Sequence, residues 1–182
     1  EMMRILMDDY NYSWEKAWEI TIKVFAYTNH TIMAEALEKW SVDLFAPILP
    51  RIYTIIREIN NRFCQYCNEI GAASDLESMS IIHNNMIRMA NLCIVGSYNV
   101  NGVSGLHTDI LKADTFEAFN RIYPGKFNNV TNGIAHRRWL GQANPELTNY
   151  LNGLLGGDFI KDLSNIEELL KYADDKTVLA DL

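Results

Sequence analysis

Several things are scarce in this sequence, and each scarcity removes a class of function. Cysteine occurs three times in 182 residues, at Cys64, Cys67 and Cys93. An odd, sparse count makes no disulfide framework and fits a reducing, cytoplasmic setting. Positive charge is the minority sign: 16 Lys and Arg face 23 Asp and Glu, a formal net charge of −7. The basic residues are scattered, with no run longer than Arg137-Arg138, which argues against a nucleic-acid binder with its basic face or stripe. No apolar run reaches the roughly 18 residues of a membrane span. The N-terminal stretch Glu1 to Met7 is too short for a signal peptide and soon meets Asp8-Asp9. GxGxxG, P-loop, GxSxG and HExxH patterns do not occur.

What is present is the material of a folded core. The chain is 48% apolar, enough to bury a sizeable interior. Glu1 enters an apolar-rich pattern without a capping residue before it, which predicts a piece cut from a longer protein, with some exposed apolar surface lacking its partner. Ser13 caps a helix expected from Trp14 to about Ala26, with Trp14, Trp18, Ile22 and Phe25 on its buried face. Thr31 is placed to cap a second helix through Glu35, Leu37 and Trp40, and Ser41 a short third ending near Pro47. Pro50 opens the clearest amphipathic helix, in which Ile52, Ile55, Ile56, Ile59, Phe63 and Ile70 recur at helical steps until Gly71.

Beyond it, Ala72 to Ser80 reads as loop. Leu92 to Val95 suits a buried strand, with a helical segment the alternative. Ser104 to Lys112 is expected to be helical, and Asp114 to cap another helix that Tyr123-Pro124-Gly125 ends. Lys126 to Ile134 reads as extended. Asn144-Pro145-Glu146 starts a helix that Gly156-Gly157 stops, and Ser164-Asn165-Ile166-Glu167 forms a capping box. The fold class is therefore mainly α with a few short β-strands, and the seam between its parts falls between Pro124 and Ile134.

Residue chemistry alone goes little further. Cys64-Gln65-Tyr66-Cys67 has CxxC spacing, but no second pair follows to complete a zinc site, and it lies inside a helix rather than at its start. His83, His107 and His136 stand without partners at metal-binding spacing, so no metal is expected. His136-Arg137-Arg138 suits an anion or, equally, solvent and local acids. The sequons at Asn11, Asn29 and Asn129 are accidents in a cytosolic chain.

Two blocks carry more. Ala26-Tyr27-Thr28-Asn29-His30-Thr31, followed by Glu35 to Trp40, and Lys126 to Ile134, running into Arg137-Arg138-Trp139-Leu140, resemble signature stretches of the glycogen and maltodextrin phosphorylases. Leu92 to Ser97 and Val100 to Val103 resemble the same family in the right order, so the resemblance covers nearly the whole chain. It implies a two-lobed GT-B type glycosyltransferase fold, with residues 1–128 the C-terminal part of the first lobe and residues 129–182 the start of the second.

The resemblance also implies an activity: transfer of terminal α-1,4-linked glucosyl units to inorganic phosphate, giving glucose 1-phosphate with retained stereochemistry. His30 and Asn132 would meet the 6-hydroxyl of the reacting glucose, Thr31 and Val103 would line the sugar pocket, and Trp139 would pack near pyridoxal phosphate. The cofactor lysine and phosphate-binding residues would lie beyond Leu182, in a homodimeric parent, so that the 182 residues alone would be inactive. Ala135-His136 stands where many family members have Thr-Pro, which touches local loop shape. Two rivals remain at this point: a free-standing helical interaction module, and another GT-B enzyme that uses a nucleotide sugar.

Overall fold

The computed structural model describes residues 1–157 and 159–181. It divides into two compact units, Glu1–Asn132 and Gly133–Leu182. Among the described residues the architecture is mainly helical with two small three-stranded sheets. Among the described residues no helix is long and apolar enough to cross a membrane.

The first unit is organised around a parallel sheet. Strand β1 (Ala26–Thr28) pairs with β5 (Asn99–Gly102), and β5 with β6 (Phe127–Asn129). Thr28, Asn101 and Asn128 lie side by side in this register, so the chain leaves all three strands at one edge. The central strand is buried at Val100. Helix α1 (Trp14–Val24) leads into β1, and the Ser13 hydroxyl accepts the Lys16 N–H at 3.3 Å, as its capping role requires.

The long helix forms as its periodicity predicts. Helix α2 (Pro50–Glu69) buries Ile55, Ile56, Ile59, Phe63 and Cys67, with proline at its first position, where a missing N–H costs nothing. Phe63 stacks on Phe119 of α5 (Glu117–Ile122) at 5.8 Å, Phe116 meets Phe119 edge-on at 6.3 Å, and Phe116 stacks on Phe127 of β6 at 6.2 Å. This chain of rings joins the core helix to the third strand. Each buried aromatic ring contributes on the order of 1.5–3 kcal/mol through area removed from water, with a further increment for the paired ring geometry.

A second sheet sits on the same core. Strands β2 (Lys39–Ser41), β4 (Met86–Arg88) and β3 (Ile82–His83) pair antiparallel in that order. Asn84 and Asn85 join β3 to β4, both with positive φ, the pattern of a two-residue hairpin turn whose twist matches its strands. The Asn60 carboxamide of α2 accepts the N–H groups of Ile81 and Ile82 at 2.9 and 3.0 Å, fastening the hairpin to the helix.

Several local expectations are corrected. Helix α1 stops at Val24 because Phe25 turns extended, accepting the Tyr98 N–H at its carbonyl. Trp14 and Trp18 pack half-buried against the core as expected, beside the buried Ala17 and Thr21, and Ile22 is half-buried; Phe25, 44% exposed, departs from that face. The helix through Leu37 and Trp40 is absent: a short turn at Ala34–Ala36 precedes β2, whose pairing with β4 overrides local propensity. Ala72 to Ser80 holds a tight turn and a short helix, Leu76–Met79. Leu92 to Val95 belongs to helix α3 (Met89–Val95) rather than a strand, the ambiguity of a short apolar run. Asp114 lies in a wide helical turn, Leu111–Thr115, and α5 begins after Phe116 without a side-chain cap.

The second unit is helical. After a wide turn at Arg137–Gln142 comes helix α6 (Pro145–Leu155). The Asn144 side chain accepts the Leu147 N–H at 3.2 Å, and Gly156, with φ +78°, closes the other end. A tight helix, Leu163–Tyr172, follows. Its cap is Asp162, which accepts the Ser164 N–H at 3.0 Å, and not the expected Ser164. Leu151, Phe159 and Val178 are buried in this unit.

Candidate functional site

The C-terminal edge of a parallel sheet is where open α/β layers place ligands, because the connections leaving the strands diverge there. In this protein the edge collects four of the five residues singled out from sequence. His30 and Thr31 follow β1, Val103 follows β5, and Asn132 follows β6. The Asn29 N–H donates to the Asn101 carbonyl at 2.9 Å, the Val130 N–H to the Gly102 carbonyl at 3.1 Å, and the Asn132 N–H to the Val103 carbonyl at 3.0 Å. The three departing segments are thus laced together past the last strand residues. His30 and Asn132 are exposed, whereas Thr31 and Val103 are half-buried. Two reachable polar side chains over a shielded floor suit a polyhydroxylated ligand.

The floor is built from side chains that sequence reading passed over. Asn29 is 1% exposed. Its Oδ1 accepts the Thr31 N–H at 3.0 Å and lies 3.1 Å from His107 Nε2, while its Nδ2 donates to the Tyr27 hydroxyl at 3.1 Å. His107 Nδ1 accepts the Val103 N–H at 3.1 Å. His107 sits in the first turn of helix α4 (Gly105–Ile110), whose Ser104 cap accepts the His107 N–H at 3.1 Å. Thr28 Oγ1 donates to Asn101 Oδ1 at 2.8 Å, joining the side chains of the two strands as well. Burial pushes the Tyr27 phenol up, keeping it protonated under the sheet edge.

Gly102 has to be glycine for this packing. A Cβ there would fall 2.5 Å from Thr108 Oγ1 and 3.0 Å from the Thr108 backbone. Helix α4 therefore sits directly on the end of β5, which brings His107 within reach of Val103. Asn29 stood in the sequence as a sequon and as one member of the Ala26 to Thr31 block, without a role of its own, and His107 as an isolated histidine.

Trp139 lies in the second unit, 72% exposed, in the wide turn Arg137–Gln142. The neighbouring His136 Nε2 is 2.9 Å from the Ile160 carbonyl, and Arg137 reaches the Lys161 carbonyl at 3.4 Å, so this basic pair is engaged locally. The CxxC pair lies on α2: Cys67 is fully buried, and burial pushes its thiol up to about 11. Among the described residues no group of three metal-ligating side chains converges. A large open cavity of about 810 Å³, lined by Trp14, Trp18, Tyr66, Tyr98, Tyr123 and Lys126 among others, contains none of the strand-edge residues.

Comparison with known proteins identifies the family. The chain belongs to the carbohydrate phosphorylase family, whose model matches residues 1–182. It is 49% identical over 177 residues to the glycogen phosphorylase of Bacillus subtilis, covering 96% of this chain and 22% of that protein. It is 46% identical over 183 residues to the cytosolic alpha-glucan phosphorylase 2 of Arabidopsis thaliana, and 45% identical over 190 residues to the muscle glycogen phosphorylase of Ovis aries. In each case 22% of the relative is matched, so the chain spans about a fifth of the length of these proteins.

Proposed function

We propose that the edge formed by His30, Thr31, Val103 and Asn132 is one wall of the glucose pocket of an α-glucan phosphorylase. The whole enzyme transfers a terminal α-1,4-linked glucosyl unit to inorganic phosphate, giving glucose 1-phosphate. The observation that carries the reading is the convergence of these residues from three separate strands onto one edge, fastened by the bond from Asn132 to Val103. His30 and Asn132 reach the 6-hydroxyl of the terminal glucose from two sides. A hydroxyl held by two polar groups gives strong selection against a sugar lacking it, because both groups are then left unpaired. Contacts that tighten as positive charge grows on the sugar ring lower the barrier as well as the binding energy.

The two compact units belong, in this reading, to the two lobes of a GT-B type enzyme, with the strand edge at the end of the first lobe. The exposed indole of Trp139 offers an apolar face of the kind a pyridine ring covers, so the residue fits a place beside pyridoxal phosphate. When bound, that cofactor supplies a phosphate group for proton transfer. Its lysine belongs to the part of the enzyme outside these 182 residues, as do the groups that hold substrate phosphate. The intact enzyme is a cytoplasmic homodimer acting on glucan.

The test is a chimaera in which these 182 residues replace the matching stretch of the Bacillus subtilis glycogen phosphorylase. Incubated with maltooligosaccharide and phosphate, it should form glucose 1-phosphate, and the 182-residue chain alone should not. A folded, cofactor-loaded chimaera without activity would overturn the assignment.

A further inference from the structure

Every hydrogen-bonding atom of the Asn29 and His107 side chains is accounted for, and in one way only. The Thr31 N–H can only donate, so the Asn29 atom it meets is the carboxamide oxygen. The carboxamide nitrogen then faces the Tyr27 hydroxyl, as found. His107 Nε2 faces that same Asn29 oxygen, so it carries a proton. The Val103 N–H also can only donate, so His107 Nδ1 carries a lone pair. The Nε2 contact requires a proton on that nitrogen and the Nδ1 contact excludes one from the other, so the two together specify the Nε2–H tautomer. The pair is sequestered: Asn29 is buried and His107 half-buried.

From this geometry we infer that Asn29 and His107 are positioning residues, a clamp that sets the separation of the Thr31 and Val103 segments across the sugar pocket. The inference rests on the reading of these segments as the pocket wall. Neither clamp residue needs to touch substrate. Asn29 fixes the backbone of Thr31, and with it the direction of His30. His107 fixes the backbone of Val103, whose carbonyl in turn holds the Asn132 N–H. One imidazole therefore ties together the segments that leave β1, β5 and β6. The strands are only three or four residues long, and past them the main-chain bonds run from Asn29 to Asn101, Val130 to Gly102 and Asn132 to Val103, so the side-chain clamp is what fixes Thr31 itself. Misplacement of a reacting group by about 1 Å costs on the order of 100-fold in rate, which is what such a clamp prevents.

The experiment uses the full-length chimaera and four variants: His107→Phe, His107→Asn, Asn29→Ala and Asn29→Asp. Phenylalanine keeps the ring but neither bond. Asparagine retains an acceptor for the Val103 N–H, and aspartate retains the double acceptor at Asn29. His107→Phe and Asn29→Ala should lower kcat by about 10- to 100-fold with KM for phosphate unchanged. His107→Asn and Asn29→Asp should recover a substantial part. A purely structural role would instead lower the melting temperature and leave kcat per folded molecule unchanged, overturning the clamp. His30→Ala separates the two levels. If it has no effect the pocket reading fails, whereas a large loss there with full activity in His107→Phe sinks the clamp alone. Imidazole nitrogen shifts of His107 in the unsubstituted full-length chimaera give a reading independent of variant folding. Nε2 protonated with Nδ1 bare is the tautomer expected, and the opposite tautomer would overturn the inference.

Discussion

Asn132 donates its backbone N–H to the carbonyl of Val103 at 3.0 Å, so its main chain, not its side chain, holds it at the strand edge. Its carboxamide is left exposed and available to a ligand. Asn132→Ala should therefore leave stability within about 0.5 kcal/mol, as for an ordinary surface change. The same substitution should reduce kcat/KM of the full-length chimaera by about 10- to 100-fold, the scale of removing one hydrogen-bond partner of a buried substrate hydroxyl. Parallel melting curves and rate measurements check both halves. A stability loss matching the activity loss would place the carboxamide in the fold instead of the pocket.

Gly102→Ala should destabilise the first unit by about 1–3 kcal/mol, because the new methyl overlaps Thr108. Removing the Thr108 side chain as well should restore little, since the Thr108 Cα and N also lie 3.0 Å from the methyl position. Denaturant melts of the single and double variants measure this, and full recovery in the double variant would contradict the packing described.

Lys126 lies beside the 810 Å³ cavity, its ammonium 4.4 Å from the centre of the Tyr123 ring. Burial pushes its pKa down to about 8 from the usual 10.5, while attraction to the ring face works the other way. With the folded value below the unfolded one, the unfolded chain holds the extra proton between those two pH values. Stability should therefore rise as pH climbs through that window and be insensitive to this group below it. Lys126→Met should stabilise at pH 7 by about 1 kcal/mol after allowance for solvent screening at the open side. That advantage should disappear by about pH 10.5. Melts of both proteins across this range test the sign.

Much of the fold was legible where the physics is local. The repeat of Ile55, Ile56, Ile59 and Phe63 gave α2, and Asn144-Pro145 with Gly156 bounded α6, because periodicity and capping act within a few residues. The losses came where distant segments decide. Trp40 sits in a strand since β4 pairs with it, and Leu92 to Val95 are helical, a choice that four apolar residues without a period leave open. The site was half legible. His30, Thr31, Val103, Asn132 and Trp139 were reached through family resemblance, whereas Asn29 and His107 were not. Their meaning arises only when β1 and β5 pair in parallel and bring Thr31 and Val103 to opposite ends of one imidazole–carboxamide contact.

The most direct measurement of the central claim compares glucose 1-phosphate with its 6-deoxy analogue in the synthetic direction, using the unsubstituted chimaera and its His30→Ala variant. The unsubstituted enzyme should prefer the intact sugar by at least about 100-fold in kcat/KM, as expected for a site built to pair a hydroxyl. The His30→Ala variant should lose most of that preference, because the group that penalised the missing hydroxyl is gone. A preference that persists undiminished in the variant would show that the edge formed by His30 and Asn132 does not hold the 6-hydroxyl.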